Sequence, residues 1–500
     1  MKILLVASEI VPYAKTGGLA DVAGALPKAL SRFGHDVRVV MPLYRSVDRE
    51  KYGLRVCLPE IWVNFPGQRI GGAVYEGVLP GTEEDNPVQA YFIECPAFFE
   101  REGLYNQEGV DYPDNALRFA YFNMAVIWLT KSLDWAPHIL HCNDWQAGFL
   151  PPFLRSQVQF RYDRFFNDTR ILFTIHNLAY QGLSDFSLLP FVGLSPALFN
   201  AEQMEYWGAL NPLKGGLAFS DAINTVSPRY AREILGQDFG CGLDGFLRNR
   251  QHRLSGILNG IDTNEWNPRT DRFLAANYSA QDPSGKETCK RSLCESLGWE
   301  AEPERPLLAM INRLDSQKGI DLFLDALPRL IEISRARIVV LGSGNPDYHR
   351  RLHAARTQYP DALRVELTFD NKLAHRIEAG ADMFLMLSRY EPCGLNQMFS
   401  LAYGTVPLVH HTGGLADTVV NADERSIAEN RANGFAFYDY DAESFLDRVR
   451  YALDIYHNRP ALWRQIRKTG LLGDYSWARS ARDYESLYKR MTGQYSDFLP

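Results

Sequence analysis

The chain has 500 residues, of which 46% are apolar and 23% are charged, and its formal net charge is −7. A chain of this length exceeds one ordinary hydrophobic core and predicts two large domains, and its apolar content excludes a mostly disordered protein. The net negative charge argues against a nucleic-acid-binding protein, although a local cluster of cations is enough to bind one small anion.

The first predicted element is a buried strand at residues 2–7. The apolar run ends at Ser8 and Glu9 without a small-residue cleavage site, which favours a strand over a signal peptide. No stretch approaches the roughly 18 apolar residues that a membrane span requires. The seven cysteines are scattered and contain no CxxC pair, as is typical of reduced thiols. We therefore expect a cytoplasmic protein that does not contact a membrane.

A strand, glycine turn, helix and strand unit opens the chain, as in nucleotide-binding α/β folds. The turn Lys15–Gly18 lies between the strand 2–7 and a helix at 19–33, and a strand at 37–41 follows. This turn is not GxGxxG, so the unit lacks the dinucleotide fingerprint. Further predicted elements are antiparallel hairpin strands at 55–63, 72–79 and 88–93, a long loop at 98–115, helices at 115–133 and 213–220, and strands at 138–142, 171–175 and 222–226.

Polar side chains follow two of these strands. The sequence His141–Trp145 closes one strand, and His176-Asn177 closes the next. Because parallel sheets bind ligands at the carboxyl ends of their strands, we expect a site here. A structural role is the favoured interpretation for His141, and a functional role for His176.

A second α/β alternation follows the crossover at residues 257–262. It predicts strands at 307–311, 338–341, 363–367, 383–387, 406–409 and 434–438, and helices at 320–331, 347–358, 441–456, 461–469 and 478–491. The stretch 264–285 is irregular and polar. No low-complexity linker separates the two halves, so we expect direct contact between two lobes with a cleft.

The hexapeptide TGGLAD occurs twice, at Thr16–Asp21 and Thr412–Asp417. In both copies an apolar strand-like run lies upstream and a helix-compatible run downstream. A glycine turn between strand and helix lets backbone N–H groups approach an anion. The alternative is that both copies are ordinary tight turns, but their matching settings favour two similar lobes that share a ligand.

Three cations are candidates for binding a diphosphate. Arg313 and Lys318 lie five residues apart in one loop after a strand, and Lys15 precedes the first hexapeptide. Arginine can bind two phosphate oxygens at once, whereas lysine supplies a point charge. The alternative is a solvated loop with unrelated charges. Since the sequence contains no HExxH or spaced Cys/His cluster, we expect no metal, and these cations would neutralise a leaving diphosphate.

Glu391 is the candidate carboxylate of the second lobe, in a turn punctuated by Pro392 and Gly394. A carboxylate beside a sugar can hold hydroxyls or stabilise a developing oxocarbenium ion. The alternative is a carboxylate that only interacts with a helix N-terminus.

Five motifs together resemble the bacterial glycogen synthases, which are close relatives of plant starch synthases. They are KTGGLADV at Lys15–Val22, TIHNLAYQG at Thr174–Gly182, NGID at Asn259–Asp262, the loop Arg313–Gly319, and EPCGL at Glu391–Leu395. They occur in the family's order, and the resemblance extends to about residue 480.

The resemblance implies a GT-B glycosyltransferase fold, with two Rossmann-like α/β domains and a deep interdomain cleft. It implies an acceptor-side domain at 1–258, a nucleotide-sugar domain at 259–475, and a final helix within 476–500 that crosses back to the first domain. The implied reaction transfers glucose from ADP-glucose to the 4-hydroxyl at the non-reducing end of glycogen or another α-1,4-glucan. The configuration is retained, and no metal or other cofactor takes part.

In the first domain, the resemblance assigns Lys15, Gly17 and Gly18 to the donor diphosphate. His176 and the neighbouring Asn177 resemble the family's residues beside the transferred sugar, and Asp144 resembles a carboxylate near the acceptor. The crossover residue Asn259 is expected to face the glucose.

In the second domain, Arg313 and Lys318 resemble the cations that stabilise the departing diphosphate. Glu391 resembles the carboxylate that holds the glucose hydroxyls, and its turn continues through the implied binding residues Cys393, Gly394 and Leu395. The turn Thr412, Gly413 and Gly414 is implied to meet the distal phosphate and the sugar.

The chain departs from related glycosyltransferases at two positions. A second glutamate often follows the first by eight residues, and here that position is Phe399. Some relatives have a tyrosine near the adenine, where this chain reads Phe369-Asp370-Asn371. Three alternatives remain: a transferase that uses UDP-glucose or a small acceptor, a non-catalytic glucan or nucleotide-sugar binding protein, and a phosphorylase that needs a pyridoxal-phosphate lysine.

Overall fold

The structure is a computed structural model that describes residues 1–300 and 302–494. The chain forms two compact units. The first comprises residues 1–226, residues 231–259 and the segment that begins at Trp477, and the second comprises residues 227–230 and 260–476. The first unit therefore draws on both ends of the chain.

A nine-stranded sheet forms the centre of the first unit. Lys2–Val6 is parallel to Asp36–Pro42 on one side and to Ile139–Asn143 on the other. Across the sheet the strand order is Leu254–Gly256, Ala222–Thr225, Arg170–Ile175, Ile139–Asn143, Lys2–Val6, Asp36–Pro42, Gln89–Glu94, Gln68–Val78 and Arg55–Phe65. Because the strand order reverses at Lys2–Val6, its carboxyl end and that of Ile139–Asn143 form the crevice where open α/β sheets bind ligands.

The helices before residue 260 belong to the first unit, except that Pro228–Glu233 begins within residues 227–230 of the second unit. They are Gly18–Ser31, Pro96–Phe99, Asn115–Ser132, Leu150–Ser156, Val158–Arg161, Leu188–Phe191, Pro212–Ala218, Pro228–Glu233 and Asp244–Arg248. Two short hairpins pair Asn106–Gln107 with Val110–Asp111 and Glu205–Tyr206 with Ala209–Leu210.

The C-terminal helix Trp477–Met491 packs in the first unit through two buried tyrosines. Asn224 Nδ2 donates to the Tyr484 hydroxyl at 3.0 Å, and the Tyr488 hydroxyl lies 2.9 Å from His141 Nδ1. His141 Nε2 lies 2.7 Å from Thr174 Oγ1. Both ring nitrogens of His141 are thus bonded inside the core.

A six-stranded parallel sheet forms the centre of the second unit. Its strand order is Leu363–Glu366, Arg337–Leu341, Leu307–Ile311, Met383–Met386, Val406–His410 and Phe435–Phe437. The strand order reverses between Leu307–Ile311 and Met383–Met386, so the loops that follow these two strands lie at the expected ligand crevice. Buried Leu, Ile, Val and Phe side chains fill both faces of the sheet, as is typical of parallel strands covered by helices.

The helices of this unit are Gly285–Ser296, Ile320–Ser334, Pro346–Gln358, Asn371–Gly380, Asn396–Ala402, Gly413–Thr418, Glu424–Ala428, Ala442–Asn458 and Pro460–Leu471. A 3-10 turn at Ser316–Lys318 precedes Ile320–Ser334. The sequence did not predict Gly285–Ser296, because its residues are mostly polar and show little apolar periodicity.

The prediction of an edge hairpin at residues 88–93 was wrong in one respect. Gln89–Glu94 is antiparallel to Gln68–Val78 but parallel to Asp36–Pro42, so it joins the hairpin to the main sheet. Its residues Ala90–Ile93 are buried. Burial on both faces is the property of an interior strand rather than an edge strand.

Candidate active site

In the first unit, the loop after Lys2–Val6 is organised around Glu9. Its Oε2 accepts hydrogen bonds from the Thr16 backbone N–H and from Thr16 Oγ1, the latter at 2.9 Å. Burial raises the pKa of Glu9 to about 7, although the Thr16 and Gly17 donors act in the opposite direction. Sequence reasoning did not predict a role for Glu9. The available signal was a carboxylate that directly follows a buried strand.

The first TGGLAD turn leaves its glycines in open space. Lys15 Nζ lies 2.7 Å from Asp21 Oδ1. Gly17 is the extended N-cap of the helix Gly18–Ser31. A Cβ on Gly18 would meet no atom within 4 Å, and one on Gly17 would meet only Glu9 Oε1 at 3.9 Å. The backbone at this turn can therefore be approached closely from outside.

Asp144 directly follows the strand Ile139–Asn143. This strand pairs with Lys2–Val6, the strand that precedes Glu9. The backbone φ of Asp144 is positive, at 54°, which is uncommon outside glycine. Its Oδ1 accepts a hydrogen bond from the His176 N–H at 2.7 Å. Burial raises the pKa of Asp144 to about 7, and the charge of Glu9 acts in the same direction. The structure thus brings two buried carboxyl groups to one crevice.

His176 is buried, and its contact with Asn143 determines which ring nitrogen carries the proton. Asn143 Nδ2 donates to the carbonyl oxygens of Val6 and His141, so its Oδ1 is the acceptor for His176 Nε2 at 2.9 Å. Burial lowers the pKa of His176 to about 3. The imidazole is therefore neutral with its proton on Nε2, and Nδ1 is an acceptor.

Asn177 and Asn259 differ in how their side chains are engaged. Asn177 Oδ1 accepts from the Ala179 N–H at 3.1 Å within its own turn. Asn259 is buried, and its Oδ1 has no hydrogen-bond partner in the part of the chain that the structure describes. Because a buried acceptor without a partner is costly, Asn259 is suited to receive a ligand hydroxyl.

In the second unit, the loops after Leu307–Ile311 and Met383–Met386 bring Lys318 to Glu391. Lys318 Nζ lies 2.9 Å from Glu391 Oε1 and 2.6 Å from Oε2. Ser388 Oγ donates to Glu391 Oε2 at 2.8 Å. Glu391 is 5% exposed, so this ammonium group compensates a nearly buried carboxylate. Sequence reasoning did not predict the contribution of Ser388.

Arg313 lies in the same loop as Lys318, and Asp315 connects them. Arg313 Nε donates to Asp315 Oδ2, and Asp315 Oδ1 accepts from the Lys318 N–H at 3.1 Å. The side chain of Arg313 is 48% exposed. Asp315 thus orients the loop that carries both predicted cations.

The second TGGLAD turn packs directly against the Glu391 turn. Gly413 has a φ of 45°, and a Cβ there would lie 1.9 Å from the carbonyl oxygen of Glu391. The Gly414 N–H donates to that same oxygen at 3.0 Å. Thr412, Gly413, Gly414 and Cys393 are all buried. Only glycine fits at these contacts, so the two turns form one rigid structure.

The rest of the EPCGL turn leads into the helix Asn396–Ala402. Gly394 has a φ of 71°, and Leu395 is the N-cap of that helix. Phe399 stacks on Trp266 with ring centroids 3.8 Å apart. Phe369, in the loop before the helix Asn371–Gly380, is 80% exposed.

Within residues 1–300 and 302–494, no group of three or more His, Cys, Asp and Glu side chains is arranged to hold a metal ion. In that same part of the chain, no helix has the length and apolar character needed to cross a membrane. The seven cysteines, which all lie in the described part of the chain, are thiols and not disulfides.

Comparison with known proteins identifies the family. The sequence model of the family described as Starch synthase catalytic domain matches residues 2–249, and that of Glycosyl transferases group 1 matches residues 298–469. A glycogen synthase from Geotalea daltonii is 45% identical over 490 residues, which cover 98% of each chain. One from Anaeromyxobacter sp. strain Fw109-5 is 47% identical over 492 residues, which cover 98% of this chain and 99% of the relative. The chain belongs to the bacterial glycogen synthases.

Solved structures agree with this glycogen synthase assignment. The catalytic domain of starch synthase IV from Arabidopsis thaliana, bound to ADP and acarbose, is 35% identical with a TM-score of 0.90 and covers 98% of this chain and 99% of its own. Sucrose-phosphate synthase from Thermosynechococcus elongatus, at 17% identity and a TM-score of 0.59, shares the fold alone. The chain is a glycosyltransferase with two parallel-sheet Rossmann-like domains, so the predicted GT-B fold class is confirmed.

Proposed function

We propose that this glycogen synthase transfers glucose from ADP-glucose to the non-reducing 4-hydroxyl of an α-1,4-glucan, with retention of configuration. The observation that carries the proposal is the Lys318–Glu391 pair beside the glycine turn Thr412–Gly414, at the crevice of the second sheet. In this proposal the cation binds the diphosphate of the nucleotide sugar, the buried carboxylate binds the glucose hydroxyls, and the turn backbone borders the distal phosphate and the sugar.

The second unit is assigned the donor. The guanidinium of Arg313 and the ammonium of Lys318 stabilise charge on the departing diphosphate, as preorganised cations do without a metal. Glu391 accepts hydrogen bonds from the glucose hydroxyls, and Cys393, Gly394 and Leu395 shape its turn. Thr412, Gly413 and Gly414 border the distal phosphate and the sugar. We assign the exposed ring of Phe369 to stacking on the base.

The first unit is assigned the acceptor side and part of the diphosphate contact. Lys15 supplies a charge next to the open glycines Gly17 and Gly18. His176 is neutral, so its Nδ1 can accept a hydrogen bond from a sugar hydroxyl. Asp144 and Asn177 are assigned to the same side.

Asn259 Oδ1 has no hydrogen-bond partner among the residues that the structure describes, which supports a contact with a glucose hydroxyl. The boundaries 1–258 for the acceptor-side domain and 259–475 for the donor domain belong to this proposal. The reduced state of the seven cysteine thiols supports a cytoplasmic location.

Retention is explained by transfer on one face of the sugar. Glu391 already bonds Lys318 and Ser388, which suits an electrostatic and hydrogen-bonding role rather than covalent attack. In this mechanism the leaving phosphate accepts the proton of the attacking 4-hydroxyl while the new glycosidic bond forms. Trapping of a glucosyl adduct on another side chain in Glu391→Gln would contradict it.

The direct test is nucleotide release with glycogen as acceptor, compared for ADP-glucose and UDP-glucose with and without EDTA. The proposal expects glycogen-dependent ADP release that exceeds UDP release and is unaffected by EDTA. Faster UDP release would overturn the donor assignment. No release from either donor would favour a non-catalytic binding protein.

A further inference from the structure

Trp266 lies between two other rings and connects two helices of the second unit. Its ring stacks on His375 and on Phe399, whose centroids lie 3.9 Å and 3.8 Å from its own, with interplanar angles of 9° and 13°. His375 belongs to the helix Asn371–Gly380, and Phe399 belongs to the helix Asn396–Ala402. Because stacked rings attract one another, the stack fixes the backbone at residue 266 between the two helices.

These two helices follow the loops that are assigned to opposite ends of the nucleotide sugar. The helix Asn371–Gly380 begins shortly after Phe369, which is assigned to the base. The helix Asn396–Ala402 follows the Glu391 turn, which is assigned to the glucose. In a nucleotide sugar the ribose is bonded to the base on one side and to the diphosphate and glucose on the other. We therefore expect the ribose beside the segment that lies between the two helices.

Glu265 precedes Trp266 and presents a carboxylate in this segment. Its Oε1 lies 3.5 Å from Asn371 Nδ2 and 3.9 Å from His375 Nε2. The side chain of Glu265 is 51% exposed, so a ligand can reach it from solvent. The helix Asn396–Ala402 carries no acidic residue of its own. Glu265 therefore supplies a carboxylate that this helix cannot offer to the nucleotide.

A buried polar network behind Glu265 compensates its charge. His375 Nδ1 lies 2.7 Å from Asp271 Oδ2, and the Tyr403 hydroxyl donates to the same oxygen at 2.6 Å. Burial acts to lower the pKa of His375, but its hydrogen bonds to Asp271 and Glu265 raise this pKa to about 9. The imidazolium next to Glu265 keeps the carboxylate ionised. A carboxylate has about four lone-pair sites, so it can accept hydrogen bonds from a ligand while it keeps such partners.

The chemistry of ribose matches a carboxylate at this position. Its 2′- and 3′-hydroxyls are neighbouring donors, and hydrogen bonds from hydroxyls to an ionised acceptor are stronger than those between neutral groups. We infer that Glu265 binds the 2′- and 3′-hydroxyls of the donor and makes the enzyme select ribonucleotide sugars over deoxyribonucleotide sugars. This inference rests on the proposed function, which assigns Phe369 to the base and Glu391 to the glucose.

Glu265→Ala tests the inference through the affinities for ADP, 2′-deoxy-ADP and 3′-deoxy-ADP, measured by isothermal titration calorimetry. The wild-type protein should bind ADP about tenfold or more tightly than either deoxy analogue. In Glu265→Ala the three affinities should become similar, because the acceptor of both hydroxyls is gone. Glu265→Gln should discriminate less than wild type but more than Glu265→Ala, since a neutral acceptor is weaker. Glu295→Ala, at an exposed carboxylate in the helix Gly285–Ser296, is the matched control and should change none of the three affinities.

The outcomes separate this inference from the proposed function. Equal losses for ADP and both analogues in Glu265→Ala overturn the inference, because the carboxylate would then act only through Asn371 and His375. Wild-type affinities that do not distinguish the three nucleotides also overturn it. Discrimination by the wild-type protein without turnover overturns the catalytic proposal alone, since nucleotide binding needs no acceptor. If the transfer assay releases UDP rather than ADP, the donor assignment fails, and UDP with its two deoxy analogues decides the inference in the same way.

Discussion

Lys318 and Glu391 are 73 residues apart in sequence, yet the lysine Nζ lies within 2.9 Å of both carboxylate oxygens of the glutamate. The pair forms because the loops after Leu307–Ile311 and Met383–Met386 follow adjacent parallel strands. The ammonium group therefore both compensates the buried carboxylate and remains next to the proposed diphosphate position.

Removing only the Lys318 charge should lower the free energy of unfolding more than removing both charges of the Lys318–Glu391 pair. Lys318→Met leaves the Glu391 carboxylate buried and should lower the free energy of unfolding by about 3 kcal/mol. The double variant Lys318→Met/Glu391→Gln should recover part of this loss, because no uncompensated charge remains. Glu391→Gln alone should reduce kcat at least about 100-fold. Denaturant unfolding and nucleotide-release assays measure these effects. Equal stability of Lys318→Met and wild type would contradict the interpretation.

The two copies of TGGLAD should respond differently to the same substitution. Gly413 has a positive φ, and in Gly413→Ala the new Cβ would lie against the Glu391 carbonyl. This variant should therefore lose about 2 kcal/mol or more in free energy of unfolding, and its turnover should be abolished. Gly17→Ala, at the equivalent position of the first copy, has open space and an extended backbone, so it should cost less than about 1 kcal/mol. Thermal unfolding of both variants decides this comparison. Similar losses would show that the two turns are equally constrained.

Asp144 should make the stability of the protein depend on pH. Its pKa rises from 3.8 to about 7 on folding because the carboxyl group is buried. The folded state then binds more protons than the unfolded state between these values, so stability falls as pH rises through this window and remains reduced above it.

Asp144→Asn keeps the acceptor for the His176 N–H but does not titrate, so its stability relative to wild type should increase from pH 4 to pH 8. Unfolding measured at both pH values checks this. A difference between variant and wild type that is the same at both pH values would contradict burial of an ionisable Asp144.

The side chain of Phe369 should contribute to binding of the donor but not to the stability of the protein. Its ring is 80% exposed, so Phe369→Ala removes little packing. The KM for ADP-glucose should rise about tenfold if the ring stacks on the base, whereas the unfolding temperature and the KM for glycogen should not change. Leu472→Ala, at another exposed apolar position of the second unit, is the matched control. An unchanged KM for the donor would exclude base stacking by Phe369.

Much of the fold could be predicted from local patterns in the sequence. The buried strands Lys2–Val6 and Leu307–Ile311 are apolar on both faces, which is characteristic of parallel sheets and is visible without coordinates. The motifs from Lys15 to Leu395 identified the family correctly. The parallel partner of Gln89–Glu94 was missed, since an apolar run does not specify which strand lies beside it.

The candidate site was predicted less completely because its contacts are long-range. Glu9 and Asp144 approach each other because they follow adjacent strands that are far apart in sequence. The choice of Asn143 as the partner of the His176 imidazole likewise depends on how two strands align. No spacing rule along the chain encodes either contact.

The repeated hexapeptide separates what the sequence determines from what the tertiary structure decides. Six identical residues specify a glycine turn before a helix in both lobes. The helix begins at Gly18 in the first copy but at Gly413 in the second, one residue earlier in the motif. The backbone of Gly17 is extended, whereas Gly413 has a positive φ, because the Glu391 carbonyl packs against the second turn and accepts the Gly414 N–H. Local chemistry makes both conformations available to glycine, and the neighbour supplied by the fold selects one of them.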